Sequence, residues 1–84
     1  MYRIRTDITA REQIAALPNA ALEPYAQVLG VLELVPWVGH PHHKDNPKGA
    51  LRQLVFGPGE QGIVIYLILD DQQFVDVLEV MWVE

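Results

Sequence analysis

The chain has 84 residues, half of them hydrophobic and a fifth charged, with a formal net charge of −5. This composition is typical of a single globular domain spanning residues 1–84, and the acidic balance argues against nucleic-acid binding through bulk electrostatics. The absence of cysteine and serine excludes disulfides, thiolate chemistry and a serine-based acyl-transfer triad. No apolar run is long enough to cross a bilayer, so we expect a cytoplasmic protein.

The chain begins with a predicted strand and a predicted first helix. Residues 2–5 alternate polar and apolar side chains, as a short half-buried strand does. Thr9 and Glu12 have the spacing of a capping box, in which each side chain bonds the other residue's backbone N–H. We therefore predict a helix over residues 10–17, ended by a proline.

A second helix is predicted over residues 19–34, because apolar side chains recur there at spacings of three and four. The two helices would form a hairpin that covers one face of a sheet. Residues 36–50 follow with three prolines, two glycines and no periodicity, so we expect a surface loop of about fifteen residues. Loops of this length are commonly functional or mobile.

The C-terminal half contains three runs rich in β-branched and aromatic residues, at residues 51–56, 63–69 and 74–83. Short connections with turn-forming residues separate them, which predicts antiparallel hairpins and a three-stranded meander. The middle run is apolar on both alternating sets, so this strand needs a cover on each side. The predicted fold class is α+β: an N-terminal strand, a helix hairpin, then the meander, in a four-stranded sheet.

The order of elements and three local segments resemble the RelE/ParE toxin superfamily. Leu34–Pro41 is similar to that family's helix end and following loop. Asn46–Arg52 is similar to its entry into the second strand, with a glycine, an apolar residue and an arginine. Gly57 and then Ile63–Tyr66 are similar to the following strand pair, which often reads Arg-Val-Ile-Tyr. The resemblance covers essentially the whole chain, and it implies a first strand parallel to the last.

This resemblance implies a toxin-like component of a bacterial type II toxin–antitoxin module, with a cognate antitoxin as partner and, if RNA cleavage is retained, ribosome-bound mRNA as target. Several family features are missing, however. Ile63 replaces the arginine before Val-Ile-Tyr, and Leu54 replaces a second basic residue. Trp82–Glu84 stands where the RNA-cleaving members usually have an Arg or His together with a Tyr. We therefore predict weak or absent ribosome-dependent, metal-free mRNA cleavage. The alternative is a non-catalytic protein-binding module, acting through protein contacts as gyrase-directed relatives do.

Arg52 matches the arginine that the family retains, and two roles are open for it. Its planar guanidinium is suited to stabilise a phosphate as a catalytic or nucleic-acid-binding group. It is equally suited to pair with a carboxylate such as Asp76 or Glu79 at the sheet edge. Strict alternation would place these two carboxylates on opposite faces of the last strand, so they do not form a paired-carboxylate site.

The predicted loop carries His40, His42 and His43, and an imidazole can both accept and donate a proton in catalysis. His40 and His43 are candidate catalytic residues for proton transfer in RNA cleavage, and Lys44 and Lys48 are candidate phosphate contacts. A solvated polar loop is the alternative. Imidazole also binds transition metals, but one loop without thiolates predicts no structural zinc, and no cofactor is expected.

Three residues of the meander are predicted at a partner interface: Tyr66, Met81 and Trp82. Trp is enriched at such surfaces, and one face of the meander has no predicted cover. We expect a homodimer or an antitoxin complex to bury the surface around the last two strands.

Overall fold

The computed structural model describes all 84 residues. Its order of elements confirms the predicted α+β class. The elements in chain order are β1 (Arg3–Thr6), α1 (Ile8–Ala15), α2 (Asn19–Leu34), a 3₁₀ turn (Pro36–Val38), β2 (His40–Pro41), β3 (Leu51–Phe56), β4 (Gly62–Leu69) and β5 (Phe74–Trp82). Neither helix is long and apolar enough to cross a membrane.

The strands form one mixed sheet in the order β1-β5-β4-β3-β2. β1 runs parallel to β5, as the resemblance implies, and the other pairs are antiparallel. The sheet has five strands rather than the predicted four, because β2 forms inside the predicted loop and pairs His40 with Gln53. A two-residue strand has no periodicity of its own, so only its pairing with β3 reveals it.

The start of α1 differs from the prediction. The carboxylate of Asp7 accepts a hydrogen bond of 3.2 Å from the backbone N–H of Thr9, and the helix begins at Ile8. Asp7 therefore caps the helix, and the predicted capping box of Thr9 with Glu12 is wrong. Asp and Thr are both favoured as the residue that caps a helix N-terminus, and in this chain the cap is Asp7, two residues before Thr9.

The core lies between the two helices and one face of the sheet, which we call the helix face. Its side chains are fully or almost fully buried and come from both helices and from the three central strands. They are Ala10, Tyr25, Val28, Leu32, Phe56, Val64, Tyr66, Ile68, Val75, Val77 and Val80. Burial of this set accounts for the alternate residues Val64, Tyr66 and Ile68 of β4, which face the helices.

A β-bulge in β5 reverses the alternation of its side chains. Tyr66 pairs with Val77 but its neighbour Ile65 pairs with Glu79, so Leu78 is an extra residue. The residues beyond Leu78 therefore change faces relative to strict alternation. Asp76 and Glu79 consequently lie on the same face, and the prediction that they point to opposite faces is wrong.

The opposite face of the sheet, which we call the outer face, has no helix packed on it. The pairing register assigns to it Leu51, Val55, Ile63, Ile65, Leu67, Leu69, Phe74 and Met81. Val55 and Met81 are the most exposed of these, at 44% and 37%. Gln53, Asp76 and Glu79 lie on the same face. The outer face is thus a largely apolar surface with polar side chains among it, and no helix of this chain packs on it.

Candidate functional site

Arg52 lies on the helix face of β3 and is 9% exposed. Its guanidinium donates three hydrogen bonds of 2.9 Å, from Nε to the carbonyl of Gly49, from Nη1 to that of Gly39, and from Nη2 to that of Pro47. Hydrogen bonds from a charged donor are roughly twice as strong as neutral ones. Arg52 therefore holds both ends of the loop between Gly39 and Gly49 against the sheet.

Two aromatic side chains, Trp37 and Tyr66, lie beside Arg52, and we call the three residues the Arg52 cluster. The guanidinium carbon lies 5.0 Å from the centre of the Trp37 ring, within cation–π range. The hydroxyl of Tyr66 donates a 2.6 Å hydrogen bond to the carbonyl of Pro36, and burial raises the pKa of Tyr66, so the hydroxyl keeps its proton. Any side chain at Gly39 would collide with that hydroxyl, so this position requires glycine.

The carboxylate partners expected for Arg52 lie elsewhere. Asp76 forms an ion pair with Arg5, with 2.7 Å between the Arg5 Nε and the Asp76 Oδ1. The guanidinium carbon of Arg5 lies 4.1 Å from the centre of the Phe74 ring. Glu79 is on the outer face, whereas Arg52 is on the helix face. The predicted pairing of Arg52 with Asp76 or Glu79 is therefore wrong, and backbone carbonyls are its partners.

The histidines lie on the other side of the sheet from Arg52. His40 pairs with Gln53 across β2 and β3, so the two side chains share one face of the sheet. Gln53 is next to Arg52 in β3, and adjacent residues of a strand point to opposite faces. His42 Nδ1 lies 2.9 Å from the Gln53 Oε1, and the rings of His42 and His43 meet edge to face at 5.1 Å. The structure therefore does not bring His40 and Arg52 together. No group of three His, Cys, Asp or Glu side chains is arranged to hold a metal ion.

Lys44 and Lys48 are exposed in the loop between β2 and β3 and form no salt bridge. Their charges are accessible from solvent, in the segment that Arg52 anchors. They remain candidate phosphate contacts.

The two positions at which the family's basic residues are missing also lie apart. Leu54 packs against the core on the helix face, and Ile63 lies on the outer face opposite Val55. The positions of Arg52, Leu54 and Ile63 therefore do not form one continuous basic surface. Even with basic residues there, two of the side chains would point away from the third.

The three predicted interface residues have different surroundings. Tyr66 is fully buried, so the prediction of a partner contact by this side chain is corrected: Tyr66 belongs to the Arg52 cluster. Met81 lies on the outer face and is exposed. Trp82 lies on the helix face with its ring centre 5.8 Å from that of Phe56. Of the three, Met81 is the one on the uncovered surface.

Sequence reasoning did not identify Asp70, which joins three separate segments. Its carboxylate accepts hydrogen bonds from the Tyr2 hydroxyl at 2.5 Å and from the Trp37 Nε1 at 3.2 Å. Both hydrogen bonds lower the pKa of Asp70, and the one from Tyr2 has the larger effect. The partners are 68 and 33 residues away, so no local sequence pattern marks this residue.

No protein-family model and no curated protein sequence matches the chain. Solved structures do match. The isolated E. coli RelE toxin superposes with a TM-score of 0.80 at 15% identity, over all of this chain and 86% of RelE. A chain of the intact E. coli RelBE toxin–antitoxin complex superposes with a TM-score of 0.75 at 16% identity, over 100% of this chain and 99% of that chain.

A third match has the highest identity of the three. The toxin–antitoxin complex RelBE2 of Mycobacterium tuberculosis gives a TM-score of 0.70 at 25% identity, over 96% of each chain. The β-α-α-β-β-β-β chain, with its first and last strands parallel, superposes on these structures along almost its whole length. The resemblance to the RelE/ParE superfamily is thereby confirmed in the fold, and the chain is a divergent protein with the fold of the RelE toxins.

Proposed function

We propose that this chain is the toxin-like component of a type II toxin–antitoxin pair, that it binds an antitoxin, and that it does not cleave mRNA on the ribosome. The observation that carries the loss of cleavage is the position of the Arg52 guanidinium. It is buried and bonded to three loop carbonyls, so the one basic group that matches the family's pattern is engaged in holding the structure.

The chemistry of RNA cleavage explains why this matters. In-line attack by a 2′-OH develops charge on the phosphate, and each well-placed donor contributes on the order of 3–4 kcal/mol, or 10²–10³ in rate. Leu54 and Ile63 offer no donor, and they lie on opposite faces of the sheet. His40 also lies on the face away from Arg52. Acid, base and phosphate-binding groups are thus not assembled at one point.

The antitoxin partner is supported by the outer face. An apolar surface that no element of the chain covers is the kind of surface that partner proteins bury. Two of the matching structures, from E. coli and M. tuberculosis, are toxin–antitoxin complexes. We infer that the antitoxin of this chain covers the outer face around Val55 and Met81.

Ribosomes programmed with a defined mRNA test the absence of cleavage. The purified chain is expected to give no cleavage above a protein-free control, under conditions in which an active RelE toxin cleaves the same message. Robust cleavage by the wild type would overturn the proposal. In that case His40→Ala and His43→Ala, compared with Gln72→Ala in an exposed turn, would identify whether the histidine loop supplies the proton transfer.

Co-expression tests the antitoxin separately. The probe is the product of a small adjacent reading frame with a DNA-binding N-terminus and an amphipathic C-terminus. Stable co-purification at equal stoichiometry is the expected result. A product of this description that does not bind would contradict the proposed partner while leaving the cleavage result unaffected.

A further inference from the structure

Strand β1 forms an open edge of the sheet. It stands first in the order β1-β5-β4-β3-β2, so it is paired on one side alone. The backbone N–H groups of Arg3 and Asp7 donate to carbonyls in β5 and just before it. Because backbone groups of successive residues point to opposite sides of a strand, those of Ile4 and Thr6 point away from β5. Their N–H and C=O groups are therefore available to another strand.

The opposite edge of the sheet offers no such template. β2 consists of two residues, and one of them, Pro41, has no N–H group. Short edge strands and prolines are devices by which proteins protect sheet edges from further pairing. β1 has four residues and no proline. Its edge is therefore the one that can accept a further strand.

A groove of about 710 Å³ lies beside this edge, between β1 and α1. Three residues of β1 and three of α1 line it: Ile4, Arg5, Thr6, Arg11, Ile14 and Ala15. Ile4 and Ile14 also pack against the core, so the floor of the groove is apolar. A strand added to β1 would therefore bury apolar side chains there, in addition to forming backbone hydrogen bonds.

Arginine side chains surround the groove. Arg5 is paired with Asp76, but Arg3 and Arg11 are exposed and form no salt bridge. Residues 1–16 carry three arginines against two carboxylates, whereas the rest of the chain carries three basic residues against nine carboxylates. The edge of β1 is therefore a locally positive surface on an acidic protein.

The two carboxylates in this part of the chain do not line the groove. Asp7 is engaged as the cap of α1. Glu12 follows Arg11 in α1, and successive residues of an α-helix point about 100° apart. Glu12 is therefore directed away from the groove that Arg11 lines, and Arg11 has no carboxylate partner there.

We propose that the edge of β1 binds an extended segment of a partner protein in which acidic and apolar residues alternate. The segment adds to the sheet beside β1, in the manner by which extended peptides bind open sheet edges. Its apolar side chains lie over Ile4 and Ile14. Its acidic side chains lie on the outer-face side, where Arg3 has no carboxylate partner, because successive side chains of a strand point to opposite faces.

Charge excludes a second copy of this chain as the added strand. Antiparallel pairing of two β1 strands about a two-fold axis would bring Arg3 and Arg5 of one copy against the same residues of the other. Like charges directly opposite each other destabilise a strand pair. This inference goes beyond the proposed function, because the edge of β1 is apart from the surface around Val55 and Met81 and does not depend on a toxin-like role.

A capped peptide that alternates glutamate and valine is the probe, titrated into the full ¹⁵N-labelled chain. We expect a dissociation constant on the order of 0.1–1 mM, because a flexible peptide loses conformational entropy on binding. The amide signals of Ile4 and Thr6 should shift. Their hydrogen exchange should slow about tenfold at about 90% saturation, since exchange then occurs from the free tenth of the molecules. A matched peptide that alternates lysine and valine should bind at least tenfold more weakly.

Two pairs of variants test the backbone and the charge separately. Thr6→Pro removes a free N–H group and keeps the hydrogen bonds to β5, so it should abolish binding. Thr6→Val keeps that N–H group and should bind as the wild type does. Arg11→Gln should weaken binding several-fold. Lys44→Gln, in the loop between β2 and β3, changes the net charge equally, from −5 to −6, and should leave the affinity unchanged.

Several results would overturn the proposal. They are equal affinities for the two peptides, equal binding by Thr6→Pro and Thr6→Val, shifts confined to other elements, or no binding at millimolar peptide. Protection of the Ile4 and Thr6 amides that rises with protein concentration in the absence of peptide would assign the edge to a second copy instead. Each of these outcomes leaves the cleavage and co-expression results unaffected, because those measurements use ribosome-bound mRNA and a whole antitoxin.

Discussion

Arg52 is the residue on which the candidate site depends, and its surroundings decide what its guanidinium does. Three carbonyls from the loop converge on it, and Trp37 lies against it. Lysine could not replace it, because an ammonium is a compact point charge and cannot span three separated acceptors in one plane. The same side chain that stabilises phosphate in an open site therefore stabilises a loop here.

Replacing Arg52 should destabilise the fold. Arg52→Ala is expected to lower the free energy of unfolding by about 2–4 kcal/mol, because buried carbonyls lose charged donors. Arg52→Lys should recover only part of this. Denaturant unfolding measures both, with Arg3→Ala at the exposed sheet edge as a control that should change stability by less than about 0.5 kcal/mol. Equal effects at Arg52 and Arg3 would contradict the structural role.

Tyr25 presents the opposite case, a buried hydroxyl with no hydrogen-bond partner. Burial raises its pKa to about 12, so the hydroxyl is neutral at any ordinary pH. Its ring packs on Phe56 at 5.9 Å between centres, a contact that phenylalanine keeps. Tyr25→Phe should therefore leave stability unchanged or raise it by about 1 kcal/mol, as measured by thermal unfolding. A clear loss of stability would mean that the hydroxyl is hydrogen-bonded in solution.

At the scale of elements, the fold depends on devices that join distant segments. The bulge at Leu78 turns the far half of β5 so that Val80 faces the core and Glu79 faces the outer surface. Asp70, in the turn after β4, joins the residue before β1 to the 3₁₀ turn after α2. The backbone N–H of Tyr2 also donates to the carbonyl of Glu33 in α2. The N-terminal strand is thereby fixed to both layers.

The Asp70 contacts should make stability depend on pH. Its pKa is lowered in the folded state, so its contribution is present above the ordinary value of 3.8 and is lost as pH falls through the lower folded value. Asp70→Asn should therefore reduce the melting temperature at pH 6, with the difference from wild type shrinking below about pH 4. Asp71→Asn, at the next residue, is the control. A difference that persists unchanged to pH 2 would contradict the assignment.

At the scale of the whole molecule, the sheet separates two apolar surfaces. The outer face lies on one side, and the exposed side of α2, which carries Leu22, Val31 and Leu34, lies on the other. A substitution on α2 should therefore leave binding at the outer face intact.

Lysine substitutions distinguish the two surfaces. Val55→Lys and Met81→Lys should each weaken binding of the co-expressed antitoxin about tenfold or more, because a charge is then buried against an apolar partner. Leu34→Lys on α2 should leave that affinity unchanged. Isothermal calorimetry with the purified product of the adjacent reading frame measures all three. Weakening by Leu34→Lys instead would place the antitoxin on α2.

The local pattern of the sequence determined the class of the fold and most of its elements. Spacings of three and four define α2, and β-branched runs between turn residues define β3, β4 and β5, because these signals depend on neighbours a few residues away. The apolar character of both sides of β4 also predicted an uncovered sheet face.

Tertiary structure alone decided what the candidate residues do. Alternation predicts the face of Glu79 wrongly because the bulge at Leu78 adds one residue, which is visible only in the pairing with β4. The partners of Arg52 and Asp70 lie on loops brought together by the sheet, and the opposition of His40 to Arg52 follows from the pairing of β2 with β3. Sequence therefore named the side chains with the right chemistry, but their contacts are long-range, and register and burial determine which of them meet.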